Sequence, residues 1–382
     1  MVRNAAWGRR RLTHSLIFVA LAFALTGCAT GRPGPDVLAP VAAVPGAKTV
    51  PIYVATNRKR ATPSGNVFTA ERSDTLSFAK FVVAIPPNHK TGNIEWPQGA
   101  ADAPMSFATA DQAVLTDAEF RNAVASARQS SGKKRSVLIF VHGFNNNFQE
   151  SLYRLAQIAA DAGFNGTAIL FSWPSQADVG AYDADREAAL ASRDDLMALL
   201  QMVTSSPQAG EILVVAHSMG GFLTAEALKE LRIQRRDRVI TRLGRVVLAA
   251  PDIDVDVFRS ELQTIGPLKP PMTLLVSKDD AALRVSNIIG GSRARAGALA
   301  VDNPLVREAA LRAKVRIIDI SKLQSEDGGM NHDRFVNLAA FYPRLQREPV
   351  AQRQEAGVFL FDPASAKAVE LNGPVRGPAP PE

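Results

Sequence analysis

The segment VVAHSMGG (residues 214–221) places Ser218 directly after an apolar run and before two glycines. A tight turn from a strand into a helix needs small neighbours, here Ala216, Gly220 and Gly221, because the helix start packs against the strand end. Such a turn raises the side chain of its central residue out of the sheet, where it can attack a substrate. The pattern therefore indicates a nucleophilic serine. A serine that only caps the following helix is the alternative.

A serine that attacks a carbonyl group needs hydrogen-bond donors for the oxygen atom that becomes negatively charged. One expected donor is the backbone N–H of Met219, the residue after the serine. The segment LIFVHGFNNN supplies the second donor, because Gly143 lets the backbone approach closely and the Phe144 N–H follows it. We interpret His142 as a structural hydrogen-bonding residue of this loop. The asparagines at 145–147 either shape the pocket or cap the next helix.

The serine also needs a histidine as its base and a carboxylate that orients the histidine. The chain has five histidines. His14 lies in the N-terminal signal, His89 precedes the central strands, and His142 and His217 belong to the two loops already described. Elimination leaves His332, in the segment MNHDRF, as the base. It follows the last apolar strand, as expected for the chain order serine, acid, histidine.

Several carboxylates could orient this histidine, and the residues alone leave the choice open. The segment LLVSKDDAALRVS contains Asp279 and Asp280, and the segment APDIDVDVF contains Asp252, Asp254 and Asp256. Both segments begin with an apolar strand and lie between the serine and the histidine in the chain. The alternative interpretation for each aspartate is a helix cap or a solvated loop residue.

Eight short segments occur in an order that is typical of one family: YVATNR, VHGFN, FSWPS, YDAD, AHSMG, APDID, SKDDAAL and NH. From about residue 50 to residue 345, the chain resembles a bacterial α/β-hydrolase family of unknown function, a branch of the esterase/lipase superfamily. The resemblance implies Asp280 as the acid, with Asp252 or Asp254 in reserve. The chain departs from the pattern at Asn331, where the family usually has glycine, and before Thr56, where it usually has glycine or phenylalanine.

Predicted strands and helices alternate along the chain. Strands are expected at 49–56 and 78–86 and in several later apolar runs, which are continuous rather than alternating. Continuous apolar strands are typical of a parallel sheet that is buried on both faces. Thr116 and Glu119 form a predicted capping box at a helix start, and one long helix is expected over 182–206. The predicted fold class is α/β: an α/β-hydrolase fold with a mostly parallel central sheet and helices on both faces. A last helix is expected after NHDRF.

The N-terminus has a basic start, an apolar stretch over Leu16–Leu25 and then the chain's only cysteine, Cys28, in LTGC. This arrangement is typical of a signal peptide, and it resembles a bacterial lipoprotein signal in which the cysteine is lipidated. We therefore expect a protein anchored by lipid in the bacterial cell envelope, in the outer membrane and facing the periplasm. The expected organisation is a signal peptide (1–27), a flexible tether (28–48), an α/β-hydrolase domain (49–345) and a largely disordered C-terminal extension (346–382).

The charge of the chain argues against nucleic-acid binding. The formal net charge is +7, but four of the 44 basic residues lie in the predicted signal, which leaves 40 basic against 37 acidic residues. A nucleic-acid-binding domain would need a denser basic patch. No metal-binding or glycine-rich phosphate-binding motif occurs, so we expect no metal and no cofactor.

The sequence thus predicts hydrolysis of a carboxylic ester or thioester bond through an acyl-enzyme, with a small-molecule or lipid-like acyl ester as substrate and the membrane contacted through the lipid anchor. Two alternatives stay open. The same residues could transfer the acyl group to another acceptor, as an acyltransferase does. The fold could also serve a non-catalytic binding protein of the envelope.

Overall fold

The computed structural model describes residues 32–97, 99–125, 135–325, 328–337, 359–362 and 367–369. The predicted signal peptide and Cys28 lie outside the described residues, as do most of the predicted C-terminal extension and most of the helix expected after NHDRF. In the described part of the chain, no helix is both long enough and apolar enough to cross a membrane.

In the described residues, the backbone is built around one sheet of eleven strands. In chain order the strands are β1 (Thr49–Arg60), β2 (Phe68–Ala84), β3 (Ala108–Leu115), β4 (Val137–Val141), β5 (Thr167–Ser172), β6 (Ile212–His217), β7 (Arg245–Ala249), β8 (Thr273–Val276), β9 (Arg316–Asp319), β10 (Phe359–Asp362) and β11 (Lys367–Val369). The strand order across the sheet is β11-β10-β9-β8-β7-β6-β4-β5-β1-β2-β3. The seven strands from β9 to β1 run parallel, and two antiparallel strands extend the sheet at each edge.

Nine α-helices are described. They are α1 (Asp117–Ala125), α2 (Phe148–Asp161), α3 (Tyr182–Ala191), α4 (Arg193–Thr204), α5 (Met219–Ile233), α6 (Asp237–Arg242), α7 (Val255–Ile265), α8 (Ala281–Ile289) and α9 (Pro304–Ala313). The predicted capping box of α1 is confirmed, because the Thr116 N–H donates to Glu119 Oε2 (2.7 Å) and the Glu119 N–H donates to Thr116 Oγ1 (3.2 Å).

Alternate residues of the central strands pack into two separate cores. In β4, Ile139 belongs to the core that covers one face of the sheet and Phe140 to the core on the other face. Leu196 of α4 and Leu223 of α5 fill the first core, and Leu152 of α2 fills the second. The sheet is therefore buried on both faces between helices, which confirms the predicted α/β-hydrolase fold class.

The sequence predicts one long helix over 182–206. This prediction is wrong in one respect, because the structure contains two helices here, α3 and α4, divided at Ser192. The Ser192 hydroxyl donates to the Ala188 carbonyl (2.7 Å) and accepts from Asn57 Nδ2 (2.9 Å). A serine hydroxyl bonded to the carbonyl four residues earlier bends a helix. This local bond and the contact with β1 end α3.

Residues 32–48, which the sequence predicts as part of a flexible tether, instead pack against the domain. Val37 and Leu38 are 4% and 2% exposed and belong to the core that contains α2. The Tyr153 hydroxyl donates to the Val37 carbonyl (2.6 Å), and the Val41 N–H donates to the Thr109 carbonyl (2.9 Å). The apolar side chains of this proline-rich segment pack against the core that contains α2, a contact that local sequence patterns do not predict.

The sheet also contains strands that the sequence does not predict. β3 pairs with β2, and β10 and β11 lie within the segment expected to be a disordered extension. β10 pairs antiparallel with β9, with Leu360 opposite Ile318. Pairing at a sheet edge depends on a partner strand that is distant in the chain, so a local pattern gives little indication of it.

The buried N-terminal segment gives a stability prediction. Leu38→Ala should lower the free energy of unfolding by about 2–5 kcal/mol, because it opens a cavity in a packed core. Leu305→Ala is the matched control, since Leu305 is 72% exposed and its truncation should change stability by less than about 0.5 kcal/mol. Urea denaturation of both variants measures the difference. Equal stability of the two variants would mean that the segment is a free tether.

Candidate active site

Ser218 lies at the corner between β6, which ends at His217, and α5, which begins at Met219. Its backbone has φ 53° and ψ −121°, a conformation that residues with a side chain rarely adopt. The Ser218 N–H donates to the Ala249 carbonyl (2.9 Å). The Ser218 carbonyl accepts from the N–H groups of Gly221 (2.8 Å), Asp252 (3.2 Å) and Phe222 (3.4 Å). The predicted turn is therefore present, and hydrogen bonds to both the N–H and the carbonyl of Ser218 hold its unfavourable backbone conformation.

Two glycines allow the loop after β4 to approach this corner. A Cβ atom on Gly220 would lie 2.3 Å from the His142 carbonyl oxygen, and a Cβ atom on Gly143 would lie 3.0 Å from Ser218 Cβ. Larger residues would push the loop and the corner apart. The structure thus brings the segment that contains Phe144 against the serine, as the sequence predicts.

No hydrogen bond within the described residues uses the backbone N–H of Phe144 or of Met219. Next in the loop, Asn147 caps α2: its side chain accepts from the Glu150 N–H (2.8 Å), and Glu150 Oε2 accepts from the Asn147 N–H (2.8 Å). Of the two interpretations of the asparagine run, capping therefore applies to Asn147. Within the described part of the chain, the N–H groups of Phe144 and Met219 therefore have no other acceptor.

His332 and Asp280 form a direct pair, with 2.7 Å between His332 Nδ1 and Asp280 Oδ2. The Asp280 side chain is fully buried, and its other oxygen, Oδ1, accepts from the Leu283 N–H (2.9 Å) as the N-cap of α8. The sequence presents histidine partner and helix cap as alternatives for each aspartate. The structure shows both at Asp280, one through each carboxylate oxygen.

The other candidate carboxylates bind other groups. Asp252 accepts from the Tyr182 hydroxyl (2.8 Å) and the Ser286 hydroxyl (2.5 Å) and lies 3.3 Å from Arg295 Nε. Asp254 caps α7, and Asp279 pairs with Arg334 at 2.8 Å. The geometry therefore favours Asp280 as the partner of His332.

His332 lies beside the residue that precedes the serine. Its ring centroid is 4.5 Å from that of His217, and His217 Nε2 lies 3.3 Å from the His332 carbonyl oxygen. His217 also stacks on Phe335 at 4.4 Å. This stack fixes the segment that contains His332 next to the serine corner.

The histidines of the site differ in charge. Burial by itself would lower the pKa of His332, but the Asp280 carboxylate, together with the charges of Asp333 and Asp252, raises it to about 9. Burial lowers the pKa of His217 to about 3 and that of His142 to about 3. His142 stacks on Trp173 at 4.9 Å and its Nε2 lies 3.1 Å from the Trp173 carbonyl oxygen, in agreement with a structural role.

The residue before His332 explains a departure from the family pattern. Asn331 has φ 62°, in the left-handed region that favours glycine. Asparagine is among the few other residues that adopt this conformation readily. The asparagine is therefore compatible with the left-handed turn that precedes His332.

The sequence alone assigns no role to three polar residues of the shared motifs: Arg58 of YVATNR, Ser175 of FSWPS and Asp185 of YDAD. All three are buried, with exposures of 1%, 0% and 0%. The signal that could have identified them is a charged or polar residue within a family motif, close in the chain to an apolar strand. Among the described residues, no group of three or more histidine, cysteine, aspartate or glutamate side chains is placed to bind a metal ion.

The fold and the serine corner together define an α/β-hydrolase. The chain belongs to the family described as alpha/beta hydrolase of unknown function (DUF900), whose profile matches residues 117–348, more than half of its length.

Comparison with solved structures gives similarities to esterases at 12% sequence identity. The esterase Est22 covers 87% of this chain and 88% of its own, with a TM-score of 0.39. A hyperthermophilic esterase from the archaeon Pyrobaculum calidifontis covers 76% of this chain and 88% of its own, with a TM-score of 0.35. A search of curated proteins found no match.

The His332–Asp280 pair gives a prediction about charge. In an NMR titration of histidine-labelled protein, His332 should titrate near the pKa of about 9, and Asp280→Asn should lower that pKa because it removes the carboxylate charge. Asparagine retains an oxygen for the cap of α8, so the fold should survive. His217 is the internal control, since its low pKa should keep it neutral throughout. A His332 pKa that Asp280→Asn leaves unchanged would contradict the pairing.

Proposed function

We propose that the protein is a serine hydrolase that cleaves carboxylic ester or thioester bonds through an acyl-enzyme. In this proposal Ser218 is the nucleophile, His332 the base and Asp280 the acid that orients it, while Phe144 and Met219 donate to the oxyanion. The observation that carries the proposal is the strained corner at Ser218, because such a conformation persists only where the surrounding structure imposes it. The His332–Asp280 pair and the Gly143 loop beside this corner support it.

The proposed reaction follows from the hydrogen bonds. Because Nδ1 of His332 is bound to Asp280, Nε2 is the nitrogen that can accept the serine proton. The Ser218 oxygen then forms a bond to the acyl carbon, and the carbonyl electron pair moves onto the oxygen, where backbone N–H groups stabilise it. Collapse of this intermediate expels the alcohol or thiol, which receives the proton from His332. Water, activated by the same histidine, releases the acid.

The raised pKa of His332 affects this proton transfer. Only the neutral imidazole can accept the serine proton, and a pKa of about 9 keeps His332 of the substrate-free enzyme protonated at neutral pH. Alkaline conditions therefore favour the reactive form. The neutral His217, by contrast, adds no charge beside the base.

Two other functions fit parts of this arrangement. An acyltransferase would form the same acyl-enzyme and pass the acyl group to an alcohol or amine instead of water. A non-catalytic binding protein would retain the fold without needing the strained serine. The unoccupied oxyanion donors and the pairing of His332 with the buried Asp280 favour a catalytic role over binding alone.

Replacement of the proposed nucleophile tests the reaction class. Ser218→Ala should abolish covalent labelling by a fluorophosphonate probe and lower ester turnover by about 10⁴-fold or more, because no other group can form the acyl-enzyme. Ser106→Ala, at another buried serine (3% exposed), is the matched control and should label and turn over normally. Mass spectrometry locates the label, and an ester panel with and without added alcohol separates hydrolysis from acyl transfer. Wild-type-like labelling of Ser218→Ala would place the nucleophile elsewhere.

We also propose that Cys28 carries the lipid that anchors the protein in the bacterial cell envelope. The segment LTGC after an apolar stretch supports this proposal. Two or more acyl chains give stable attachment to a bilayer, whereas one gives only marginal binding.

The anchoring proposal is tested in bacterial cells. Cys28→Ser should prevent labelling with an alkyne fatty acid and stop signal removal at this position, because serine offers no thiol for the lipid. Ala29→Ser, at the adjacent position, is the control and should label as the wild type does. Membrane fractionation with metabolic labelling measures both. Equal lipid labelling of Cys28→Ser and the wild type would exclude this anchor.

A further inference from the structure

A fully buried arginine lies beneath the loop that contains Phe144. Arg58, at the end of β1, donates from Nη2 to the Asn146 carbonyl (2.9 Å) and from Nη1 to the Ser175 carbonyl (3.1 Å). Its Nε donates to the Ser172 hydroxyl (3.0 Å). One guanidinium group therefore connects the loop after β4 with the loop after β5.

A buried carboxylate binds the same two loops through their N–H groups. Asp185, in α3, accepts from the Gln176 N–H (2.7 Å) and the Asn145 N–H (3.4 Å). It also accepts from the Ser175 hydroxyl (2.6 Å). Arg58 thus binds carbonyl groups of these loops, and Asp185 binds their N–H groups.

Ser175 contacts both charged groups, Asp185 through its hydroxyl and Arg58 through its backbone carbonyl. The hydroxyl donates to Asp185 and accepts from the Asn146 N–H (3.2 Å) and the Ala177 N–H (3.2 Å). The two residues that follow Phe144 are therefore both held through their backbone N–H groups. Asn145 has φ 60° and Ala177 has φ 57°, so the hydrogen bonds fix left-handed backbone in each loop.

This network costs free energy that apolar residues would not cost. Burial lowers the pKa of Arg58 to about 9, although Asp185 and Glu150 attract its charge, and burial raises the pKa of Asp185. Replacing buried charges with packed apolar residues is often neutral or stabilising. A gain in stability therefore does not explain the network. The loop after β4 lies between Ser218 and the network, so fixing the position of this loop does explain it.

We propose that Arg58, Ser175 and Asp185 are positioning residues that hold Phe144, and so its N–H group, in place beside Ser218. This proposal rests on the proposed function, since it concerns the oxyanion of that reaction. Loss of one oxyanion donor costs about 10²–10³-fold in rate, so a displaced donor should cost a large part of this.

Ser175→Ala tests the proposal, because it removes the hydroxyl that bonds Asp185 and the backbone N–H groups of both loops and leaves both charges in place. We expect kcat for an ester to fall about tenfold or more, with KM changed less than about twofold, because the interaction strengthens only in the transition state. Binding of a trifluoromethyl ketone, whose carbonyl carbon bonds to the Ser218 oxygen and leaves an oxyanion, should weaken by a similar factor. Asp185→Asn, which retains an acceptor oxygen, should show the same pattern.

Ser106→Ala is the matched control. Like the Ser175 hydroxyl, this buried hydroxyl both donates and accepts, here to the Asp102 carbonyl (3.0 Å) and from the Asp102 N–H (3.2 Å), but it lies outside the two loops. Its kcat and ketone affinity should equal those of the wild type, whatever happens to its Tm. All rates are measured well below the Tm of each variant. Ser175→Ala with wild-type kcat and ketone affinity, or with only KM changed, would overturn the positioning role while the proposed function stands. A wild type that neither labels nor turns over esters would overturn both.

Discussion

The strained backbone of Ser218 is the constraint on which the rest of this site depends. Its conformation is unfavourable for a residue with a side chain, so it must be imposed by neighbours. The Ala249 carbonyl of β7 holds its N–H, and the first turn of α5 and the loop after β7 hold its carbonyl. Because two of these contacts come from β7 and the loop after it, the corner requires β6 and β7 to be paired.

The parallel sheet also explains why residues far apart in the chain meet at this corner. The carboxyl ends of parallel strands lie at the same end of the sheet, and the chain returns between strands through the helices. The loops that contain Phe144, Asp280 and His332 follow β4, β8 and β9, so the topology brings them to the end of the sheet where Ser218 lies. The antiparallel strands extend the sheet on either side of these parallel strands.

Charge is distributed around the site so that each buried carboxylate has its own partners. Asp280 divides its oxygens between His332 and the start of α8, and Asp252 is balanced by Arg295. Arg58 and Asp185 are joined through Ser175. Buried charges without such bonds would destabilise the fold strongly. The same partners therefore stabilise the charges and fix the positions of the loops. The packed N-terminal segment adds a further contact, because Arg32 donates to the Asn145 carbonyl (3.0 Å).

The sequence by itself determined the class of fold and the serine corner, because both depend on local patterns: continuous apolar strands, and small residues around Ser218. It also indicated His332, since only five histidines had to be considered. The tertiary structure decided what depends on distant partners. Local spacing cannot tell a helix cap from a histidine partner, and Asp280 proves to be both. The segment around Leu38 shows no periodicity, yet it packs on a surface formed by other elements. The buried network of Arg58, Ser175 and Asp185 could not be predicted either, because these residues lie on β1, the loop after β5 and α3, which only folding brings together.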